Sequence, residues 1–199
     1  MVGIIDYGVG NLFSLRSSFA AIGVEAFVSG DAGELATADR LILPGVGAFG
    51  DAAEKLRATG LDAFVREQAA AGKPLMGICL GMQLLFERSF EYGEHFGLGL
   101  LKGQVVGMSG RLPEGLKIPH MGWNALKLTK AAKLLEEGSY VYFVHSFYAE
   151  NCEDSIAAVT DYGIPITAAV EKGNIFGCQF HPEKSGNVGL AILKKFCEV

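Results

Sequence analysis

Residues 74–83 read Pro74-Leu-Met-Gly-Ile-Cys-Leu-Gly-Met-Gln83, and their reading decides the fold. Leu75 to Ile78 is a short apolar run of the length and composition of a buried parallel strand. From Leu80 onward the chain reads as the opening of a helix. Cys79 therefore falls on a strand-to-helix corner flanked by Gly77 and Gly81, the thiol counterpart of a Gly-x-Ser-x-Gly elbow. Backbone N–H groups at a helix start favour a nearby anion, so a cysteine there ionises more readily and becomes the better nucleophile. Free cysteines usually serve as small buried hydrophobes. That ordinary reading holds for Cys152, Cys178 and Cys197, which lack such a corner, and the two glycines reverse it for Cys79.

Outward from this corner, an α/β pattern extends toward the N-terminus. Residues 2–5 read as a strand and 6–11 as a turn. Leu12, Leu15, Phe19 and Ile22 then recur at helical spacing over 12–22. Gly8 and Gly10 lack the third glycine of a dinucleotide fingerprint, so that reading is rejected. Residues 24–28 and 40–44 give the next strands, the latter running into Gly45-Val-Gly-Ala-Phe-Gly50, and helices follow at 51–56 and 61–71. Such a glycine loop brings backbone N–H groups close to a ligand, or serves only as a permissive turn. Beyond about residue 90 the rhythm turns to strands at 100–108, 123–128, 140–144, 156–162, 166–171 and 175–180, most joined by turns, and residues 185–196 close the chain as a helix. The expectation is a flavodoxin-like α/β fold: an open, mostly parallel sheet with helices on both faces, an added antiparallel β-rich part in the C-terminal half, and one domain over residues 1–199.

Composition narrows the function classes. The 17 basic and 22 acidic residues leave a formal charge of −5, and no basic run invites nucleic acid or an anionic membrane. No basic leader followed by a long apolar segment is present, so a soluble cytoplasmic protein is expected. The four cysteines show no paired spacing, which predicts free thiols. Cys178-x-x-His181 lacks a second ligand pair, so neither a metal nor a cofactor is expected.

A nucleophilic cysteine needs a base, and the base needs an orienting group. His95 and His120 are predicted in loops and His145 at a strand end. His181 follows the strand 175–180 and is held by Pro182, with Glu183 beside it. Active groups gather beyond the carboxyl ends of strands in an open α/β sheet, so Cys79 and His181 can meet there although 102 residues separate them (181 minus 79).

Gly77-Ile-Cys-Leu-Gly-Met-Gln83, Leu43-Pro-Gly-Val-Gly47 and Gln179-Phe-His-Pro-Glu183 together resemble the signatures of class I, triad-type glutamine amidotransferases, in matching order over nearly the whole chain. Within that family, the stretches around Asp6 to Asn11, Ile118 to Asn124 and Tyr142 to Tyr148, and the extension after Glu183, resemble the glutaminase subunits of imidazole glycerol phosphate synthase. Cys178 and Phe147 depart from the usual residues. The resemblance implies attack of Cys79 on L-glutamine, with His181 and Glu183 completing the triad. It implies oxyanion donors from Leu80 and the Gly45-Val46-Gly47 loop, where a turn of the Val46 peptide would switch the site. Gln83 and the backbone of His145, Ser146 and Phe147 would hold the amino-acid end. It also implies a partner, a cyclase subunit with a (β/α)8 barrel, faced by Asn11, His120, Met121, Trp123, Asn124 and Lys184 along an ammonia passage. Rival readings are a subunit of an anthranilate, guanylate or pyridoxal phosphate synthase, a freestanding γ-glutamyl cysteine hydrolase, and a silent binding module.

Overall fold

The structure, a computed structural model, describes residues 1–199. The first half runs β1 (Val2–Ile5), α1 (Leu12–Ala21), β2 (Ala26–Ser29), α2 (Ala32–Ala36), β3 (Arg40–Leu43), α3 (Phe49–Ala58), α4 (Leu61–Ala70), β4 (Leu75–Ile78) and α5 (Leu80–Leu84). The strands β5 (Arg88–Ser89), β6 (His95–Phe96), β7 (Gln104–Gly107), β8 (His120–Ala125) and β9 (Lys127–Leu128) follow. After them come β10 (Tyr140–His145), β11 (Phe147–Glu150), β12 (Ile156–Asp161), β13 (Pro165–Lys172) and β14 (Ile175–Cys178). A 3-10 turn at Pro182–Lys184 leads into α6 (Gly186–Phe196).

Eight strands form the main sheet in the order β2-β1-β3-β4-β14-β13-β12-β9. From β2 to β14 every pairing is parallel, and from β14 to β9 every pairing is antiparallel. The expected mostly parallel sheet with an antiparallel extension is thus present. β1, β3, β4 and β14 are buried along nearly their whole length, as strands covered on both faces must be. One apolar layer packs Leu35, Phe49, Leu56, Phe64 and Val65 from α2, α3 and α4 on one face. On the other, α1 and α6 contribute Leu15, Phe19, Ile192 and Phe196. β8 and β10 make a separate two-stranded sheet, and β11-β7-β5-β6 a four-stranded one. No helix is long and apolar enough to cross a membrane.

Several boundaries differ from the sequence reading, each for a local reason. β2 starts at Ala26 because Val24 still closes the exit of α1, its N–H donating to Phe19 O at 3.0 Å. The five-residue α2 was not expected: it buries only Leu35 and is held instead by Asp31, which caps the Glu34 N–H at 2.8 Å. The strand expected over 100–108 shrinks to β7, since the N–H groups of Leu100 and Leu101 both turn back to Leu85 O. The stretch 123–128 divides between β8 and β9, which belong to different sheets. His120 and His95 begin strands and are not in loops.

Candidate active site

Ile78 pairs in register with Cys178, so β4 and β14 end side by side, and the Cys79 N–H donates to Cys178 O at 2.7 Å. The chain then turns sharply. Cys79 adopts φ 55° and ψ −112°, outside the regions that L-residues favour, at a cost on the order of 1–3 kcal/mol. The two glycines of the elbow are steric necessities. A Cβ on Gly77 would lie 2.6 Å from Gly81 O, and one on Gly81 only 1.8 Å from Leu43 O. The elbow and the end of β3 therefore touch backbone to backbone.

The same closeness holds the glycine loop. A Cβ on Gly45 would meet Gly81 N at 2.8 Å, and the Tyr7 hydroxyl donates to Pro44 O at 2.7 Å, pinning the loop from β1's side. Val46 and Gly47 continue outward, and Gly47 takes φ 92°. The N–H groups of Val46, Gly47 and Leu80 make no hydrogen bond within the chain. For Leu80 this follows from its place at the first position of α5.

β14 continues through Gln179 and Phe180 to His181, whose N–H donates to Tyr142 O at 2.9 Å. The 3-10 turn folds Glu183 back so that its Oε1 lies 2.7 Å from His181 Nδ1, with both side chains nearly fully buried. Ser185 Oγ donates to His181 O at 2.7 Å and accepts the Tyr142 N–H at 3.0 Å, stapling the turn to β10. With Nδ1 committed to Glu183, Nε2 is left for Cys79. Burial lowers the proton affinity of His181, but hydrogen bonds to Cys79 and Glu183 and their charges outweigh it, raising the pKa to about 9. Glu183 Oε2 has no hydrogen-bond partner within the chain, so that carboxylate answers to the imidazole.

These groups open on a cavity of about 360 Å³, lined by Val46, Gly47, Cys79, Leu80, Gln83, His145, Ser146, Phe147, His181 and Lys184 among the expected residues. That volume lies at the lower end of small-molecule clefts, about 300–1,000 Å³. Gln83 is buried on α5; its Nε2 donates to Phe147 O at 3.1 Å and Gln179 Oε1 at 3.0 Å, leaving Oε1 for a ligand. The expected partner-facing residues divide. Met121 and Trp123 are more than half exposed on β8, and Lys184 is exposed at the cavity. Asn11 caps α1, accepting the Ser14 N–H, and Asn124 is half-buried. His120 is fully buried and presents no surface to a partner, because its ring is stacked between Phe143 and Tyr162.

Glu91 and Tyr92 also line the cavity, and the sequence reading missed both. Glu91 Oε2 accepts the Phe49 N–H at 2.7 Å at the start of α3. Burial raises its pKa, an effect opposed by that hydrogen bond and by His95. Tyr92, at φ 54° and almost fully exposed, sets its ring edge-on to Phe147 at 6.3 Å. A lone acid in a loop carries no sequence signal of burial. No group of three or more His, Cys, Asp or Glu side chains is placed to hold a metal ion.

Taken together, the geometry provides a thiol nucleophile, a base oriented by a carboxylate, free backbone donors beside the thiol, and a buried acid lining the same cavity. The family described as "Glutamine amidotransferase class-I" matches residues 3–199. The imidazole glycerol phosphate synthase subunit HisH of Wolinella succinogenes is 52% identical over all of both chains. The HisH subunit of Bacillus subtilis strain 168 is 49% identical over all of this chain and 96% of its own. Among solved structures, one described as a glutamine amidotransferase superposes with a TM-score of 0.78 at 21% identity, covering 99% of this chain and 97% of its own. A chain of PurLQS from Thermotoga maritima gives 0.77 at 22%, with the same coverage. At such identities the structural matches speak for the fold.

Proposed function

The chain belongs to the class I glutamine amidotransferase family, and from that premise we propose that it is the glutaminase subunit of an imidazole glycerol phosphate synthase, releasing ammonia from L-glutamine for a cyclase partner in histidine biosynthesis. The observation that carries the chemistry is the Cys79 elbow joined to the His181–Glu183 pair in one cavity.

The Cys79 thiolate attacks the carboxamide carbon of glutamine, and the carbonyl electrons move onto oxygen. The tetrahedral oxyanion is received by the Leu80 N–H and by an N–H of the Val46–Gly47 loop; losing one such donor typically costs about 2.7–4 kcal/mol of barrier. His181 gives its proton to the leaving nitrogen, ammonia departs, and a γ-glutamyl thioester remains. His181, neutral again, takes a proton from water, which adds to the thioester carbon and releases glutamate and the thiolate. Glu183 holds the imidazole in the tautomer this requires and stabilises its charged form. In the same cavity, Glu91 and Gln83 Oε1 accept from the α-ammonium group, and the backbone of 145–147 receives the α-carboxylate.

Ammonia released into water at neutral pH is mostly protonated and no longer nucleophilic, so it is passed on under cover. Met121, Trp123, Tyr140 and Ile118 expose apolar side chains around β8 and β10, a surface fitting a partner chain. We assign that partner a (β/α)8 barrel, with Asn11, Asn124 and Lys184 beside the passage, and read residues 1–199 as one cytoplasmic amidotransferase unit. The deciding experiment measures glutamate release by the chain alone and with the cyclase subunit plus a phosphoribulosyl ligand, with Cys79→Ala as control. Strong activation abolished by the substitution is expected. Full activity without the partner would overturn the subunit reading in favour of a freestanding hydrolase.

A further inference from the structure

β8 and β10 pair so that His120 stands directly opposite His145, at the end of the small sheet nearest the cavity. Their rings meet, with His120 Nδ1 3.0 Å from His145 Nε2. On one side His145 Nδ1 lies 2.8 Å from Phe147 O, and on the other His120 Nε2 lies 2.9 Å from Asn124 Oδ1. Asn124 Nδ2 donates to Asp161 O at 3.0 Å. Phe147 O accepts from Gln83 as well, and Gln83 leads through Gln179 to the Cys79 sulfur, 3.8 Å from Gln179 Nε2. An unbroken polar chain thus runs from Asn124 on β8, whose preceding neighbour Trp123 is exposed, to the nucleophile.

We propose that His120, His145 and Asn124 are positioning residues that fix the Phe147 carbonyl, and with it the segment receiving the amino-acid end of glutamine, from the partner-facing strand β8. This rests on the amidotransferase reading. The donor arithmetic explains why both rings are histidines. Phe147 O and Asp161 O only accept, so His145 Nδ1 carries a proton, and Asn124 turns its oxygen toward His120 Nε2, which carries another. The central nitrogen–nitrogen bond needs a third. Two neutral imidazoles bring only two. Satisfying every contact at once would take that third proton and place one positive charge on the pair; with both rings neutral, Asn124 turns its amide so that Nδ2 donates to His120 Nε2, giving up Asp161 O, and His120 Nδ1 donates to His145 Nε2. Burial resists that charge, lowering the proton affinity of both rings. One end of the link, Asn124, lies on the strand that carries Trp123.

A pair of substitutions separates hydrogen bonding from packing. His120→Phe keeps a flat ring between Phe143, 4.8 Å away, and Tyr162, 4.0 Å away, but cannot donate to His145. His120→Asn places an amide N–H where Nδ1 stood and gives up the stacking. In the complex with the cyclase, the readouts are KM for glutamine, inactivation by a diazoketone analogue of glutamine, and alkylation of Cys79 by iodoacetamide followed on the Cys79 peptide. His120→Phe should raise KM and slow the analogue about tenfold or more, the scale of one unmade buried hydrogen bond. Iodoacetamide, which has no amino-acid end, should react within about twofold of the wild-type rate, and His120→Asn should recover most of the analogue's rate. Wild-type behaviour of His120→Phe, or parallel slowing of both reagents, would overturn the relay in favour of simple packing. A wild-type complex that alkylates but ignores the analogue and glutamine would overturn the amidotransferase reading itself.

Discussion

Replacing Gly81 by alanine would put a methyl carbon 1.8 Å from Leu43 O and 3.1 Å from Pro44 C, both backbone atoms that no rotamer change can move. Ordinary contact begins at 3.4 Å, so the start of α5 and the end of β3 must part by about 1.6 Å (3.4 minus 1.8). That contact also sets how the Leu80 N–H and the Gly45–Gly47 loop face one cavity, because Gly45 lies against Gly81 N and Leu80 Cβ. Overpacking of this kind typically destabilises by about 1–3 kcal/mol. Misplacing catalytic groups by ~1 Å can cost on the order of a hundredfold in rate. Gly81→Ala should therefore lose about a hundredfold or more in kcat for glutamate release in the presence of the partner, while still folding. Gly47→Ala is the companion: its Cβ meets nothing within 4 Å, and only the φ of 92° is strained, so it tests backbone conformation without the clash. Denaturant unfolding and steady-state kinetics on both proteins separate the effects. A Gly81→Ala protein with reduced stability but wild-type kcat would refute the idea that this backbone contact sets the catalytic geometry.

Cys79→Gly should abolish glutaminase activity and yet unfold at higher denaturant than Cys79→Ala, since glycine alone relieves the strain at φ 55°, a gain on the order of 1–3 kcal/mol; equal midpoints would remove strain from the account of the elbow. Glu183→Gln should lower the pKa of His181 from about 9, because the carboxylate is one of the groups raising it, and NMR titration of the imidazole would show an unchanged value if Cys79 alone were responsible. The sign for stability follows: a raised histidine pKa contributes fully below the unfolded value of about 6.5 and is lost as pH rises through about 9, so the wild type's advantage over Glu183→Gln should shrink across that window. Trp123→Ala should weaken cyclase binding by about tenfold or more, as loss of a central aromatic anchor does, without changing iodoacetamide alkylation of Cys79 in the isolated chain; calorimetric titration with an unchanged affinity would move the interface elsewhere.

What could be read from the sequence and what could not divides along a physical line. The elbow was legible because its geometry excludes side chains: Gly77, Gly81 and Gly45 stand where a Cβ would meet backbone, and such exclusions leave a mark in composition. His181 and Glu183 were legible because the 3-10 turn joins them locally, two residues apart. Parallel strands buried on both faces announce themselves as apolar runs, which is why β1, β3, β4 and β14 fell where expected. The short helix α2 and the two-residue strands β5 and β6 did not, because one or two buried residues make no period to detect.

Glu91 and His120 escaped for a different reason, since their roles depend on what covers them. Glu91 becomes a cavity acid only through the Phe49 N–H at the start of α3, 42 residues away. His120 becomes a buried link only because antiparallel pairing sets it opposite His145, and because aromatic rings of Phe143 and Tyr162 close over it. The elbow and the His181–Glu183 pair are thus written in local spacing and steric exclusion, whereas the groups proposed to orient substrate are assembled from long-range contacts among ordinary polar residues. On the proposed reading, the proposed triad can remain intact while substitutions at His120, Asn124 or Glu91 change which ligands the cavity holds, so a chain of this fold can keep its elbow and still differ in glutamine affinity and in its dependence on a partner.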